Sequence, residues 1–297
     1  MRGRGKAIAA AVLLLVFASP VRVGADDITS VTVVASGDLA TKGTLDTTVS
    51  DLALALAPDM TITLGDNHNE GRSSVCDESP CSAIDEYTEL FAPTWGRLPD
   101  IHPSPGNHDY LSNYGTDYMA YFSVPAYYSF DIPGWHVISL NSLLRTGNGD
   151  YRAEKVWLAA DLAAVPTTTS ILAYWHQSLF STSCQHLGYP KVQALWDILL
   201  HHGAKTLVAN GNNHVYERYA PMDAAGKPVP QGITELVVSP GGATPARRFV
   251  DGTPSPVARD IGAHVGLFTL RSDGTYHIDI YRVPTSGPAT PIDQFDG

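Results

Sequence analysis

Cationic side chains are scarce in this sequence. Its 297 residues include 19 Lys and Arg against 30 Asp and Glu, a formal net charge of -11 with neutral histidines. A surface of this sign repels polyanions and disfavours non-specific binding to nucleic acid or to anionic lipid. We therefore expect no nucleic-acid partner. An anionic ligand would need a local positive charge, such as a bound metal ion, to reverse the field.

Long hydrophobic runs are also lacking, except near the start of the chain. There, Arg2, Arg4 and Lys6 precede the apolar run Ala7–Ala18, and the small residues Val23–Ala25 resemble a cleavage site. This pattern predicts a bacterial-type signal peptide over residues 1–25, and hence a secreted, extracellular protein. No later run is long enough to span a bilayer, so no membrane span is expected after cleavage.

Cysteine is rare, with three residues in the whole chain. Secretion favours a disulfide between Cys76 and Cys81, and the alternative is two nearby thiols in an irregular loop. Cys184 is left over, and the sequence assigns it no role.

Repeats, low-complexity tracts and Pro/Gly/Ser-rich linkers are absent, so residues 26–297 are expected to form a single domain. Short apolar runs bounded by turn-forming residues predict strands. They are Ser30–Ala35, Met60–Leu64, His136–Leu140, Ser170–Trp175, Lys205–Ala209, Glu235–Val238, Leu267–Leu270 and His277–Tyr281. Three- and four-residue apolar spacing predicts helices at Leu45–Leu56, Ile84–Phe91, Ala153–Ala163 and Lys191–His202. This alternation predicts an α/β fold with parallel pairing, followed after Ile233 by antiparallel or mixed pairing.

Polar clusters follow several of the apolar runs. The segments are VVASGD, ITLGD, PSPGNHD, LAYWH and LVANGNNH, and their polar residues are Asp38, Asp66, Asn107, His108, Asp109, His176, Asn212 and His214. Ligands of α/β sheets bind beyond the carboxyl ends of the strands, and these side chains are competent metal ligands. Taken singly, the carboxylates fit Asx turns or helix N-caps, and the histidines fit ordinary hydrogen-bonded roles. Their recurrence at strand ends favours a metal site.

The ordered set GD, GDN, GNHD, WH and GNNHVYER resembles the calcineurin-like metallophosphoesterase family, in particular its purple acid phosphatase branch. The resemblance runs from about Val31 to Tyr219 and is weak beyond Pro240. It implies a four-layer αββα sandwich with two mixed sheets. It also implies two divalent or trivalent metal ions, of Fe, Mn or Zn, and a small phosphorylated substrate attacked by a metal-bound hydroxide.

The resemblance also implies a role for each polar residue. The first metal would be held by Asp38, His214 and a bridging Asp66. The second would be held by Asp66, Asn107, His176 and Asn212. His108 would act near the leaving group as an acid or electrostatic stabiliser, and Asp109 would orient it. Asn107 would also contact substrate, as would His186, for which a plain exposed histidine is the alternative.

The chain departs from the family at three positions. Asn212 replaces a histidine ligand of the second metal, and an amide oxygen is a weaker, harder donor, so this site is expected to be weak. Asn69 replaces the tyrosine that gives purple acid phosphatases their colour, which predicts a colourless enzyme. Gln177 replaces a histidine that is common in secreted relatives.

Three functions therefore compete. The first is a secreted, metal-dependent, acid-phosphatase-like hydrolase of phosphoric ester bonds. The second is a binding or scaffold protein that keeps the fold while its second metal site has degenerated. The third is a carbohydrate-binding module that uses Tyr87, Tyr110 and Tyr114 as exposed aromatic residues. The sequence leaves open whether the substrate is a monoester or a diester, and leaves open the oligomeric state.

Overall fold

The computed structural model describes residues 28–69, 83–111, 113–144, 149–284 and 286–297. The predicted signal peptide and the predicted bridge between Cys76 and Cys81 lie outside these ranges. Within them, Cys184 is exposed and is a free thiol. No helix in the described ranges combines the length and the apolar character needed to cross a bilayer.

Strands predominate over helices in the described residues. The strands are β1 (Ser30–Ser36), β2 (Met60–Leu64), β3 (Ile101–Ser104), β4 (Tyr128–Ile132), β5 (Trp135–Ser139), β6 (Ser170–Tyr174), β7 (Thr206–Asn210), β8 (Tyr216–Arg218), β9 (Thr234–Val238), β10 (Ala258–Asp260), β11 (His264–Arg271), β12 (Tyr276–Arg282) and β13 (Pro291–Asp296). The helices are α1 (Thr44–Ala55), α2 (Ala83–Glu86), α3 (Thr116–Phe122), α4 (Gly149–Ala163) and α5 (Gln193–His202).

The strands form two mixed sheets. The first has the order β13-β12-β11-β1-β2-β3, in which β1, β2 and β3 are parallel. The second has the order β10-β8-β9-β7-β6-β5-β4, in which β5, β6, β7 and β9 are parallel. The chain after Ile233 adds β9, parallel to β7, and β10, antiparallel to β8, to the second sheet, and three antiparallel strands to the first, so the pairing is mixed as its pattern predicted.

The two sheets pack face to face, and helices cover their outer faces. Side chains alternate along each strand, so Val33 lies between the sheets while Val34 packs beneath α1. In the second sheet, Leu172 faces the first sheet while Ile171 packs against α4 and α5. The predicted four-layer αββα sandwich is therefore confirmed.

Several elements differ from the sequence prediction. The pattern did not reveal β3, whose Pro103 cannot donate a ladder hydrogen bond and is tolerated because β3 is the edge of its sheet. The helix predicted at Ile84–Phe91 is α2 followed by a π-helical turn, Tyr87–Phe91. The helix predicted at Lys191–His202 begins with a short 3₁₀ turn before α5.

The two sheets meet most closely at a pair of glycines. Gly37 follows β1 and Gly211 follows β7, and a Cβ added at Gly37 would lie 2.9 Å from the Cα of Gly211. The Gly37 amide also donates to the Val238 carbonyl at the end of β9, at 3.0 Å. Only residues without a side chain allow this approach. It brings the carboxyl ends of the parallel strands of both sheets to one place.

Candidate metal centre

The predicted ligands lie in loops that leave the carboxyl ends of parallel strands. They are Asp38 after β1, Asp66 after β2, Asn107 after β3, His176 after β6, and Asn212 and His214 after β7. Because these strand ends converge, residues that are far apart in sequence share one neighbourhood.

Five of these side chains are linked by short distances between their polar atoms. Ligand atoms of Asp38, Asp66 and His176 all lie within 4.8 Å of one another, and all three residues are buried. The Nε2 atom of His176 is 3.3 Å from an Asp66 oxygen and 3.1 Å from the Asn107 amide oxygen. The Nε2 atom of His214 is 3.2 Å from an Asp38 oxygen. Carboxylates, imidazoles and an amide oxygen thus surround one small volume.

The backbone at this site is strained. Asp38, Asp66, Asn212 and His214 adopt the left-handed region, with φ of 57°, 50°, 67° and 56°. Non-glycine residues rarely adopt this conformation, and Asp, Asn and His are the types that tolerate it best. Sharp turns after β1, β2 and β7 therefore direct these residues to the site, at a cost that the surrounding fold must offset.

Gly106 permits close contact between two of the loops. A Cβ added there would overlap the amide nitrogen and the carboxylate of Asp66. The turn after β3 therefore packs directly on the residue that the sequence predicts to bridge two metals.

Backbone carbonyls fix both imidazoles. The Nδ1 atom of His176 is 2.9 Å from the Leu64 carbonyl oxygen, and that of His214 is 2.7 Å from the Thr244 carbonyl oxygen. Because a carbonyl oxygen can only accept, Nδ1 carries the proton in each ring. Once the Nε2 proton is lost, each ring therefore presents a free Nε2 lone pair to the site, as metal-binding histidines do.

The donor set fits a cation. Asp38 is fully buried, and among the described residues neither of its carboxylate oxygens accepts a hydrogen bond of good geometry. A buried carboxylate in this state is costly unless positive charge compensates it. The His214 ring supplies part of this charge, and a metal ion would supply more.

When no metal is bound, the charges at the site favour protonated imidazole rings beside an ionised Asp38. Burial is the largest influence on Asp38 and raises its pKa, but the charges of His214 and His176, together with polar contacts from His214 and Ser239, outweigh burial and the pKa falls to about 2. Burial lowers the pKa of His176, but Asp66 and Asp38 outweigh it and raise the pKa to about 9. Asp38 likewise raises the pKa of His214 against its burial. Metal binding must displace these protons from the imidazoles.

His108 lies at the open side of the centre. Its amide donates to an Asp66 carboxylate oxygen at 2.7 Å, and its Nε2 lies 3.9 Å from the other oxygen. The side chain is 26% exposed, in contrast to the buried ligands. It is thus placed where a substrate entering from solvent would meet it.

Asp109 organises the turn that carries His108. It is fully buried and accepts hydrogen bonds from the Gly106 amide at 2.6 Å, the Tyr87 hydroxyl at 2.7 Å and the Asn67 side chain at 3.0 Å. These contacts join the loops after β2 and β3. Sequence reasoning missed both Asn67 and Tyr87, because nothing in the spacing of Tyr87 relates it to a loop 22 residues further on.

His186 lies beside the centre on the loop after β6. Its ring centroid is 5.8 Å from that of His214, and burial together with the charge of His214 lowers its pKa. The buried Asn213 fixes this loop, because its side-chain amide donates to the His186 carbonyl and its oxygen accepts from Ser178 at 2.8 Å. No pattern in the sequence indicates this role for Asn213.

The three departures from the family lie around the same site. Asn212 is buried in the strained turn before His214. The Asn69 amide donates to the Ala40 carbonyl at 3.1 Å, which links the loops after β2 and β1. The Gln177 amide donates to the Ser142 hydroxyl at 3.2 Å. Among the described residues, the side chains of Asn69 and Gln177 each keep one buried atom without a partner.

The aromatic residues considered for carbohydrate binding do not form an exposed platform. Tyr87 is fully buried and hydrogen-bonded to Asp109, so its assignment as exposed was wrong. Tyr110 is half-buried, and its hydroxyl accepts from Asn141. Of the three, only Tyr114 is fully accessible, at 81%.

The charges at the site predict how metal binding affects stability. A histidine with a raised pKa stabilises the fold fully below its unfolded pKa, and this contribution is lost as pH rises through the folded value. For His176 the window runs from pH 6.5 to about 9. We therefore expect the melting temperature of metal-free protein to fall across this window, and bound metal to reduce the fall because the cation replaces the protons.

The measurement is thermal unfolding with and without chelator at both ends of the window. Glu154 and Glu235 are the internal control, because burial raises the pKa of each to about 8. Raised carboxyl pKa values make stability fall as pH rises towards 8, with or without metal. Only the difference between loaded and stripped protein reports on the imidazoles, and an equal fall in both would contradict the metal assignment.

A buried group of carboxylates and imidazoles at the joined ends of two mixed sheets is the arrangement of a metal-dependent hydrolase. The model of the calcineurin-like phosphoesterase family matches residues 31–222. The chain belongs to this family. The predicted enzyme class, a hydrolase of phosphoric ester bonds, is that of the family, and the family implies a dinuclear metal centre.

The relatives support the predicted branch. Purple acid phosphatase 21 of Arabidopsis thaliana is 28% identical over 52% of this chain and 41% of its own length. The chain thus spans less than half of that relative. Purple acid phosphatase PPD1 from yellow lupin superposes on 90% of this chain and 53% of its own, with a TM-score of 0.69 and 17% identity. The resemblance to the purple acid phosphatase branch is therefore confirmed.

Another solved structure has the same fold. The Plasmodium protein GAP50, described as the anchor in the inner membrane complex, superposes on 90% of this chain and 88% of its own. Its TM-score is 0.69 at 11% identity. At this identity the likeness concerns the fold alone.

Proposed function

We propose that this protein is a secreted metal-dependent phosphoesterase that hydrolyses small phosphate esters. The observation that carries the proposal is the buried group Asp38, Asp66 and His176, in which the Asp38 carboxylate lies 3.2 Å from His214 Nε2 and accepts no hydrogen bond of good geometry from the described residues. Secretion rests on the signal pattern of the first 25 residues, and residues 26–297 would form the catalytic domain.

Two cations, of Fe, Mn or Zn, would share Asp66. Asp38 and His214 would complete the first site. Asn107, His176 and Asn212 would complete the second, which the amide of Asn212 weakens. When bound, such ions polarise phosphoryl oxygens and acidify a water molecule.

The chain's own residues would orient the substrate and stabilise or protonate the leaving group. A water oxygen bonds to phosphorus, the ester P–O bond breaks, and the released alkoxide takes a proton. The Nε2 atom of His108 would hold that proton or stabilise the developing charge, because this ring is at the open side of the site. Asp109 keeps the His108 turn in place, while Asn107 and His186 would contact the phosphoryl group.

The test is an assay of p-nitrophenyl phosphate and bis-p-nitrophenyl phosphate with Mn, Zn, Fe, Mg or Ca, paired with metal analysis of the purified protein. We expect turnover with at least one metal, and the preferred substrate distinguishes a monoesterase from a diesterase. No turnover with any metal would reject the enzyme and support the alternative, a scaffold protein with a degenerate second site, which Asn212 favours.

Restoring an imidazole at position 212 tests the weak second site. We expect Asn212→His to raise the metal content per chain or the turnover rate, because a histidine nitrogen binds Zn or Fe more strongly than an amide oxygen. The backbone accommodates histidine, since His214 adopts nearly the same φ. Asn212→Gly is the matched control, because glycine adopts this φ without strain and offers no ligand, and it should not gain metal. Two tightly bound metals in the unmodified protein, with no gain in the variant, would contradict this assignment.

A further inference from the structure

Two adjacent arginines, Arg247 and Arg248, stand out against the acidic surface. Both are exposed. Among the described residues, neither guanidinium group makes an ion pair or a hydrogen bond. We call these two residues the arginine pair.

Several other arginines of the described residues have partners. Arg97 pairs with Asp51 at 2.6 Å, and Arg218 pairs with Asp293 at 2.8 Å. Arg259 donates to the Thr182 hydroxyl at 3.0 Å and stacks on the Phe249 ring at 4.5 Å. In a chain with 30 acidic residues, two neighbouring arginines without a carboxylate partner are available to bind an anion from solution.

The arginine pair is next to the metal centre. The Thr244 carbonyl holds the His214 ring at 2.7 Å, and the Ala246 amide donates to the His214 carbonyl at 2.9 Å. The residue after Ala246 is Arg247. The segment that fixes one predicted metal ligand therefore continues directly into the arginine pair.

The same segment is bonded to the loop that carries His186. The Cys184 amide donates to the Arg248 carbonyl at 3.1 Å, and the Val250 amide donates to the Thr182 carbonyl at 2.7 Å. An isolated bridge also pairs Ser183 with Phe249. The arginine pair thus lies on a fixed backbone between the His214 turn and the His186 loop, at the rim of the centre.

This placement suits a second anionic group on the substrate. The proposed metal centre and His186 would bind one phosphoryl group of the substrate. Guanidinium groups bind phosphate through forked, charge-assisted hydrogen bonds, and Arg is favoured over Lys for this geometry. A phosphate on the leaving-group side of the scissile ester would find no other pair of unpartnered cations joined to this rim among the described residues.

We propose that the arginine pair is a second phosphate subsite, and that the enzyme prefers bisphosphorylated esters over their monophosphorylated counterparts. This inference rests on the proposed phosphoesterase function and specifies its substrate class. The shared chemistry is a second phosphate within reach of the rim, whatever the carbon skeleton that carries it.

The test compares fructose 1,6-bisphosphate with fructose 6-phosphate as substrates of the metal-loaded enzyme. We expect kcat/KM to favour the bisphosphate, and Arg247→Gln/Arg248→Gln to lower this preference by about tenfold, the loss expected for charge-assisted hydrogen bonds. The matched control is Lys205→Gln/Arg271→Gln. It removes the same charge at the opposite ends of the strands, since Lys205 precedes β7 and Arg271 pairs with Ser30.

The second arm measures binding of both sugars to metal-free protein by calorimetry. The bisphosphate should bind about tenfold more tightly than the monophosphate in the unmodified protein and in the control, and this difference should disappear in the arginine variant. Equal affinity for the two sugars in all three proteins would overturn the subsite. Absence of turnover on every substrate would reject the proposed function, while the calorimetry would still decide the subsite.

Discussion

Asp66→Asn is expected to lower the turnover of p-nitrophenyl phosphate by at least about a thousandfold. Asp66 lies between the other ligands, with one oxygen 3.3 Å from His176 and the other accepting from the His108 amide at 2.7 Å. An asparagine keeps the size and one acceptor oxygen but removes the charge that a shared ligand needs. Metal content, measured on the same preparation, should fall with activity.

The control for this prediction is Asp273→Asn. Asp273 lies in the turn after β11, at the ends of the sheets opposite the site. Its substitution removes the same charge as Asp66→Asn. Thermal unfolding of both variants separates a lost ligand from a lost fold. If Asp66→Asn kept its rate and its metals, hydrolysis would have to proceed without a bridging carboxylate.

Gly106→Ala is expected to abolish metal binding and activity together, although it alters no ligand. The added methyl would overlap the amide and carboxylate of Asp66, so that either the Asp66 turn or the Asn107 turn must move. Displacements of this kind cost about 1–3 kcal/mol of stability and misplace the ligands. Metal analysis, turnover and denaturant unfolding measure the three consequences.

Gly43→Ala is the matched control for this substitution. A Cβ at Gly43 would meet nothing within 4 Å, and its φ of 165° is extended backbone that any residue adopts. Wild-type metal content and rate in Gly106→Ala would show that the contact with Asp66 can relax freely, and would weaken the account of the site given above.

The sequence indicated which side chains would converge at the strand ends more fully than it indicated the short elements at the periphery of the fold. Buried strands are apolar runs in the sequence, and the polar residue after each run marks a strand end. This pattern identified Asp38, Asp66, His176 and His214. Family motifs then related these strand ends to one another. Five short polar segments were thus enough to predict that these side chains would share one neighbourhood.

Contacts between distant segments were not predictable. The Thr244 carbonyl that holds His214 and the Tyr87 hydroxyl that holds Asp109 belong to segments without a motif. Any residue type can supply a backbone carbonyl, and in the sequence a buried tyrosine cannot be distinguished from an ordinary core residue. Such contacts depend on how the layers of the fold pack against one another. The hydrophobic periodicity of a single segment does not encode this packing.

Short elements were also missed for physical reasons. β3 has four residues and contains Pro103, and α3 has seven residues and follows three residues with positive φ, Asn113, Tyr114 and Gly115. Elements of this length carry too few periods for a pattern to emerge. Tertiary packing, rather than local preference, stabilises them.

The left-handed turn at Asn212 limits which amino acids this position accepts. At a φ of 67°, asparagine, aspartate, glycine and histidine are tolerated, whereas branched and bulky residues are penalised. A random library at this codon, selected only for soluble product, should therefore return that small group. Exchange between imidazole and amide is thus open in both directions at little cost to folding, so that selection at this single residue can act on the chemistry of the site rather than on the stability of the fold.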